Sequence, residues 1–360
     1  MPATLPTTKH EILATGTMAE EFADAWNTYP QPPIPNDINI LKKIVQGGLP
    51  MMQAKYASTR PATITETEHN ITLSNNYTSR VIVCHLTTPE DKPSPLIVLF
   101  HGGGHCIAFP EIELDVARAL AAAHNATVVL PTVRLAPEDP FPATVKDGWA
   151  VVQYLAAEFT TPHDPSNPLF PPQTDLSKGF IVGGTSSGSN LAGAVAPLAR
   201  DNNLTPPLTG QYLCCGGYID FTRVPEKYTH LYLSFEQNKT SPILSRDFLL
   251  MFRGALKPNP DSPLWAPMLQ HHPNDAPGEV KEGLKALPPA YFQACGMDLT
   301  RDDSLIYEKV LREECGIATR LDLYSGYPHC WWSNFPELEM SKKRLQDTVD
   351  GLGWLLEQSK

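Results

Sequence analysis

Apolar residues along this chain fall into two alternating patterns. Pro95–His101, Ala126–Arg134 and Gly179–Gly183 are short, nearly unbroken apolar runs, the pattern of strands buried on both faces. Arg80–Leu86, Gln211–Cys215, Ala290–Ala294 and Arg320–Tyr324 are further strand candidates. Between and after them, helical spacing predicts helices over Glu113–His124, Ala143–Glu158, Ser189–Arg200, Asp303–Cys315 and Pro336–Glu357. The last carries Leu338, Leu345, Val349, Leu352 and Leu356 on one stripe. Strands that alternate with helices predict an α/β fold with a mostly parallel central sheet and helices on both faces. Ligands of such sheets bind at the carboxyl ends of the strands, so the chemistry is expected there.

Thirty-six prolines interrupt this pattern in clusters. Tyr29–Pro35 follows a helix-like stretch with Met18, Phe22 and Trp26 four residues apart, and two more clusters run from Pro162 to Pro172 and from Pro258 to Pro277. Interleaved apolar residues make these rigid loops rather than disordered linkers.

A net charge of −11 disfavours nucleic acid or an anionic membrane surface as partner, both of which call for clustered Lys and Arg. No apolar stretch approaches the roughly 18 residues of a membrane span. The N-terminus lacks a charged segment followed by an apolar run, so no secretory signal is expected and a cytoplasmic protein is. The sequons at Asn70, Asn76, Asn125, Asn203 and Asn238 are then chance matches. Seven cysteines in irregular spacing, several within apolar runs, point to buried free thiols in a reducing compartment. His271-His272 is an isolated pair in a proline-rich loop, read as solvated, and no metal site is expected.

Two short motifs carry chemistry. Gly184-Thr185-Ser186-Ser187-Gly188 sits between a strand-like run and a helix-like stretch. A sharp strand-to-helix turn presents only its central serine to the cleft, and glycines two residues either side avoid collision with neighbouring backbone. Ser186 is therefore the candidate nucleophile, ahead of Ser187 and Ser189; the rival reading is an ordinary Gly/Ser turn. His101-Gly102-Gly103-Gly104 closes the apolar run before it. Successive glycines let main-chain amides approach a developing oxyanion. A phosphate loop would require Gly-Lys-Ser/Thr next, which is missing; a flexible turn is the other alternative.

Together the two motifs resemble the hormone-sensitive-lipase-like group of α/β-hydrolases, a large set of carboxylesterases. The resemblance takes in Arg134-Leu-Ala-Pro-Glu-Asp-Pro-Phe-Pro-Ala143 and covers roughly residues 80 to 335. It implies the α/β-hydrolase fold, an N-terminal cap and lead-in over 1–75, and a catalytic domain over 76–360 with a second cap insertion around 220–284. It implies a nucleophile, acid, base order of Ser186, Asp298 and His329, the acid in Cys295-Gly-Met-Asp298 and the base in Gly326-Tyr-Pro-His329. Asp298 is preferred to Asp302 and Asp303, which begin a helix where acids complement the dipole. The resemblance further implies oxyanion donors on the amides of Gly103, Gly104 and Ser187, with His101, Arg134 and Glu138 as scaffold.

The chain departs from the group's usual pattern at Thr185, Ser187, His105, Cys330 and Trp331, and in the Leu-Thr that follows Asp298. His105 and Trp331 are candidate substrate contacts, although packing is the favoured reading for Trp331 and Trp332. The expected activity is cofactor-free hydrolysis of small to medium apolar esters through an acyl-enzyme. Thioester release, acyl transfer or elimination on the same residues, and ligand binding without catalysis, are the alternatives.

Overall fold

The computed structural model describes residues 5–29, 31–88, 90–161, 168–271 and 283–358. Residues 272–282 of the expected second cap insertion, His272 among them, and residues 162–167 of the second proline cluster lie outside the described residues.

Eight strands form one sheet: β1 Ile64–Thr72, β2 Thr78–Leu86, β3 Leu96–Phe100, β4 Thr127–Pro131, β5 Phe180–Thr185, β6 Gly210–Cys214, β7 Ala290–Cys295 and β8 Thr319–Tyr324. Their order is β1-β2-β4-β3-β5-β6-β7-β8. The hairpin β1–β2 joins antiparallel to β4, and every pairing from β4 to β8 is parallel. The helices are α1 Lys9–Ala14, α2 Glu20–Thr28, α3 Ile38–Thr59, α4 Leu114–His124, α5 Ala143–Thr160, α6 Ser187–Asp201, α7 Ser234–Gln237, α8 Arg246–Leu256, α9 Arg301–Lys309 and α10 Glu339–Gln358.

The unbroken apolar runs are explained by two faces of burial. In β3, Leu96, Val98 and Phe100 join the cluster beneath α5, α6 and α9, whereas Ile97 and Leu99 face the cluster formed with α4 and α10. The most buried face of α10 runs through Ser341, Arg344, Thr348, Gly351, Leu352 and Leu355; of the stripe read in the sequence Leu352 lies on it, Leu345, Val349 and Leu356 are partly buried beside it, and Leu338 precedes the helix.

β1 and α3 are among the elements that were not expected, as are α7 and α8. β1 reads as polar, ITETEHNIT, and buries only Ile64 and Ile71; it is an edge strand held by its ladder to β2. Helix α3 runs through Pro50, with Asp37 accepting from the amides of Asn39 and Ile40 at its start. Leu41 of α3 packs with Phe252, Ala255 and Leu256 of α8 in a small separate cluster. No helix among the described residues is long and apolar enough to cross a membrane.

Candidate active site

Four strand ends on the carboxyl side of the sheet carry the chemistry-bearing residues. Ser186 stands between β5 and α6 at φ 58°, ψ −118°, a strained conformation for a residue with a side chain. Its N–H donates to the carbonyl of Cys214 at 2.8 Å, which ties the turn to the end of β6. The flanking glycines are steric necessities: a Cβ on Gly184 or Gly188 would run into the Phe100 carbonyl oxygen at the end of β3.

His329 follows β8, and its Nε2 lies 2.8 Å from the Ser186 hydroxyl oxygen. Its Nδ1 lies 2.6 Å from Oδ2 of Asp298, which follows β7 and is 1% exposed. The other carboxylate oxygen of Asp298 accepts from the Thr300 amide at 3.0 Å, so the acid is fixed from both sides. Burial pulls the His329 pKa down; the adjacent Asp298 carboxylate and Cys330 sulfur outweigh it and hold the imidazole well above the usual histidine value. The Nδ1 contact also fixes the tautomer, leaving Nε2 to accept the serine proton.

The glycine loop crosses in front of the serine. Gly103 and Gly104 have φ of 112° and 62°, and both line the cavity with Ser186, Ser187 and His329. Their N–H groups and that of Ser187 have no protein acceptor among the described residues. Ser187 is the first residue of α6, where the helix dipole favours negative charge. His101 is buried, and its Nδ1–H donates to the Gly102 carbonyl at 2.8 Å, bracing the loop. Arg134 donates to the fully buried Asp147 at 2.7 Å, and Glu138 pairs with Lys42 of α3.

The cavity above Ser186 has a volume of about 370 Å³ and an apolar wall of Ile219, Phe221, Phe248, Phe252 and Trp265. His105 also lines it. Burial pushes His105 down to about 4, so it is neutral at physiological pH. Its Nε2–H donates to Asn190 Oδ1 at 3.2 Å, because the Asn190 amide group is committed to the carbonyls of Gly217 and Trp265 at 2.6 and 2.8 Å. Trp331 takes the packing role rather than the substrate contact. It is fully buried against Tyr324, Tyr327 and Trp332, and is absent from the cavity wall. Its bulk is used for packing.

Asp302 and Asp303 do more than complement a helix dipole. Asp303 accepts from the amides of Tyr218 and Ile219 at 2.9 and 2.8 Å, and Asp302 from those of Leu233 and Ser234 at 2.5 and 2.6 Å. They clamp the segment that roofs the cavity. Asn190 and the α8 aromatics had no sequence signal, since contacts distant in the chain give them their places. Thr185 neighbours Glu113, a buried carboxyl pushed up to about 8 by burial.

A family model described as the alpha/beta hydrolase fold matches residues 97–333, well over half of the chain. The chain belongs to that family. Versiconal hemiacetal acetate esterase of Dothistroma septosporum is similar to it at 28% identity over 272 residues, 75% of this chain and 76% of the relative. Carboxylesterase NlhH of Mycobacterium tuberculosis is 34% identical over 234 residues, 63% of each chain. Among solved structures, vibralactone cyclase superposes with a TM-score of 0.83 at 26% identity, covering 100% of this hydrolase and 99% of the cyclase.

Proposed function

We propose that this alpha/beta hydrolase cleaves carboxylic esters through an acyl-enzyme on Ser186. The observation that carries the reading is the continuous line from the Ser186 hydroxyl through His329 to buried Asp298, at 2.8 and 2.6 Å, on the floor of an apolar cavity. His329 takes the serine proton as the hydroxyl oxygen attacks the ester carbonyl. The oxyanion rests on the amides of Gly103, Gly104 and Ser187, each worth about 2.7–4 kcal/mol in related sites. His329 then protonates the departing alcohol, and water, activated by the same imidazole, releases the acid. The apolar wall and the volume of about 370 Å³ favour small to medium apolar esters. We assign the capping role to α1–α3 and the segment 219–265, because α3 packs on α8 and α8 walls the cavity. The buried free thiols fit a reducing compartment.

The test is a panel of p-nitrophenyl esters of rising chain length with Ser186→Ala alongside. Loss of turnover and of fluorophosphonate labelling in a folded Ser186→Ala protein is expected. Retained turnover sinks the assignment, and a wild-type protein that takes no label points to ligand binding without catalysis.

The likeness to a cyclase along the full length favours one variant of the same chemistry. A hydroxyl of the bound acyl group, rather than water, then attacks the acyl-enzyme carbonyl and leaves as a lactone. Mass analysis of products formed in ¹⁸O-water separates the two, since only hydrolysis places the label in the acid.

A further inference from the structure

Behind His329 the ends of β6 and β7 bring together thiols for which the proposed ester chemistry has no use. Cys215, just past β6, has its sulfur 3.1 Å from that of Cys295 at the end of β7. The Cys215 thiol also reaches Cys330, the residue after His329. Cys295 is fully buried, whereas Cys215 and the partly exposed Cys330 both border the cavity. A small molecule that enters the cavity therefore meets Cys330 and Cys215 on one wall, with a third thiol behind.

We propose that Cys330 and Cys215 form a modification site for hydroperoxides, in which peroxide entering the cavity converts the two thiols into a disulfide that stops ester turnover. The Cys330 thiolate attacks one peroxide oxygen: an S–O bond forms, the O–O bond breaks, and hydroxide leaves. Cys215 then attacks the sulfenic sulfur. An S–S bond forms, the S–O bond breaks, and the departing hydroxide leaves as water with the Cys215 proton. Two thiols have lost two electrons, and one hydrogen peroxide has become two waters. Burial pushes the Cys330 thiol up, but Cys215 and the His329 imidazolium more than offset that and hold it below the ordinary thiol value, which favours the reactive thiolate. Cys295 can accept the bridge from Cys330 by exchange at Cys215, returning Cys330 to the thiol.

The consequence for the site is mechanical. A bond of about 2.05 Å is far shorter than a contact between free thiols, so closure draws residue 330 towards the end of β6 and the adjoining imidazole with it. A displacement near 1 Å costs about 100-fold in rate. This activity arm rests on the reading of Ser186 as nucleophile; the formation of the bridge does not.

The experiment treats the whole protein with hydrogen peroxide, then alkylates the remaining thiols, maps peptides by mass spectrometry and measures p-nitrophenyl ester turnover. Expected are a bridge that includes Cys215, a loss of activity of about 100-fold, and recovery with dithiothreitol. Cys295→Ser should trap Cys215 joined to Cys330. Cys330→Ser should form no bridge and lose activity at least about tenfold more slowly, with Cys330→Ala as the second variant if the first misfolds. Cys330 left as thiol while other cysteines oxidise overturns the proposal. So does sulfinic acid at Cys330 without any bridge, or a Cys215–Cys295 bridge formed as fast in Cys330→Ser as in the parent. A bridge in a protein that never cleaves esters would sink the assigned function alone, and ester cleavage unaffected by peroxide would sink this inference alone.

Discussion

Gly104→Ala probes whether the glycine loop is held in place for its amides. A Cβ at this position would lie 2.5 Å from Cγ of Phe252, and the residue has φ of +62°. The left-handed backbone costs an alanine about 1–2 kcal/mol. The ring cannot swing aside freely, because Phe252 is wedged among Phe248, Leu41 and Leu256 in the α3–α8 cluster; overpacking of that kind costs about 1–3 kcal/mol. The cheaper response is for the loop to retreat, which withdraws the Gly104 amide from the serine. Losing one oxyanion donor costs about 2.7–4 kcal/mol, so kcat should fall about 10²–10³-fold with KM little changed. The double variant Gly104→Ala, Phe252→Ala is the decisive arm. Phe252→Ala alone should cost about 3 kcal/mol of stability, at the low end for such truncations because the ring already borders the cavity. Combined with Gly104→Ala it removes the obstruction, and kcat should recover at least about tenfold over the single variant, a coupling within the usual range for touching residues. The assay is p-nitrophenyl butyrate turnover with thermal unfolding on the same samples. A folded Gly104→Ala protein with wild-type kcat, or a double variant no faster than the single, refutes the reasoning.

His329 must be neutral to accept the serine proton, and its pKa is raised, so kcat/KM should climb with pH through an ionisation above the ordinary histidine value of about 6.5. Asp298→Asn removes the carboxylate responsible, which should move that limb to lower pH and cut kcat by about 10⁴; an unmoved limb argues against the contact as cause. Glu113, raised from 4.5 to about 8, keeps its proton in the folded state while the unfolded chain loses it, so its contribution to stability is present below pH 4.5 and is lost as pH rises through about 8. At about 1.36 kcal/mol per pH unit across the window from 4.5 to about 8, Glu113→Gln should gain on the order of 4–5 kcal/mol over the parent between pH 5 and 9, read by chemical unfolding at both ends. A parallel pair of stability curves would show that Glu113 does not hold its proton. Gly188→Ala, whose Cβ would strike the Phe100 carbonyl, should abolish soluble expression, whereas Ser187→Ala, which keeps the amide, should retain activity within a few-fold.

What was legible in the sequence was whatever the chemistry imposes on neighbouring residues. The strand-to-helix turn at Ser186 needs Gly184 and Gly188 because the Phe100 carbonyl leaves no room, and that necessity is written within five positions. The parallel strands announce themselves because both their faces are buried. β1 was missed because an edge strand meets only half of that demand, and α3 because Pro50 and the adjacent glycines mask a helix that packing on α8 sustains. Trp331, two residues after His329 and a candidate for both substrate contact and packing, takes the packing place, because a turn at Cys330 with φ of +50° directs the next residue into the core. Proximity along the chain is thus a poor guide wherever the backbone reverses. The same logic separates the two halves of the site. Ser186, Asp298 and His329 are anchored to the ends of a rigid sheet, so local geometry prescribes them. The cavity wall comes from α8 and the 219–265 segment, held by Asp302 and Asp303 from a distant helix. Substitutions in that wall can reshape the cavity while leaving the triad supports untouched, which is how one sheet can carry both an esterase and a cyclase.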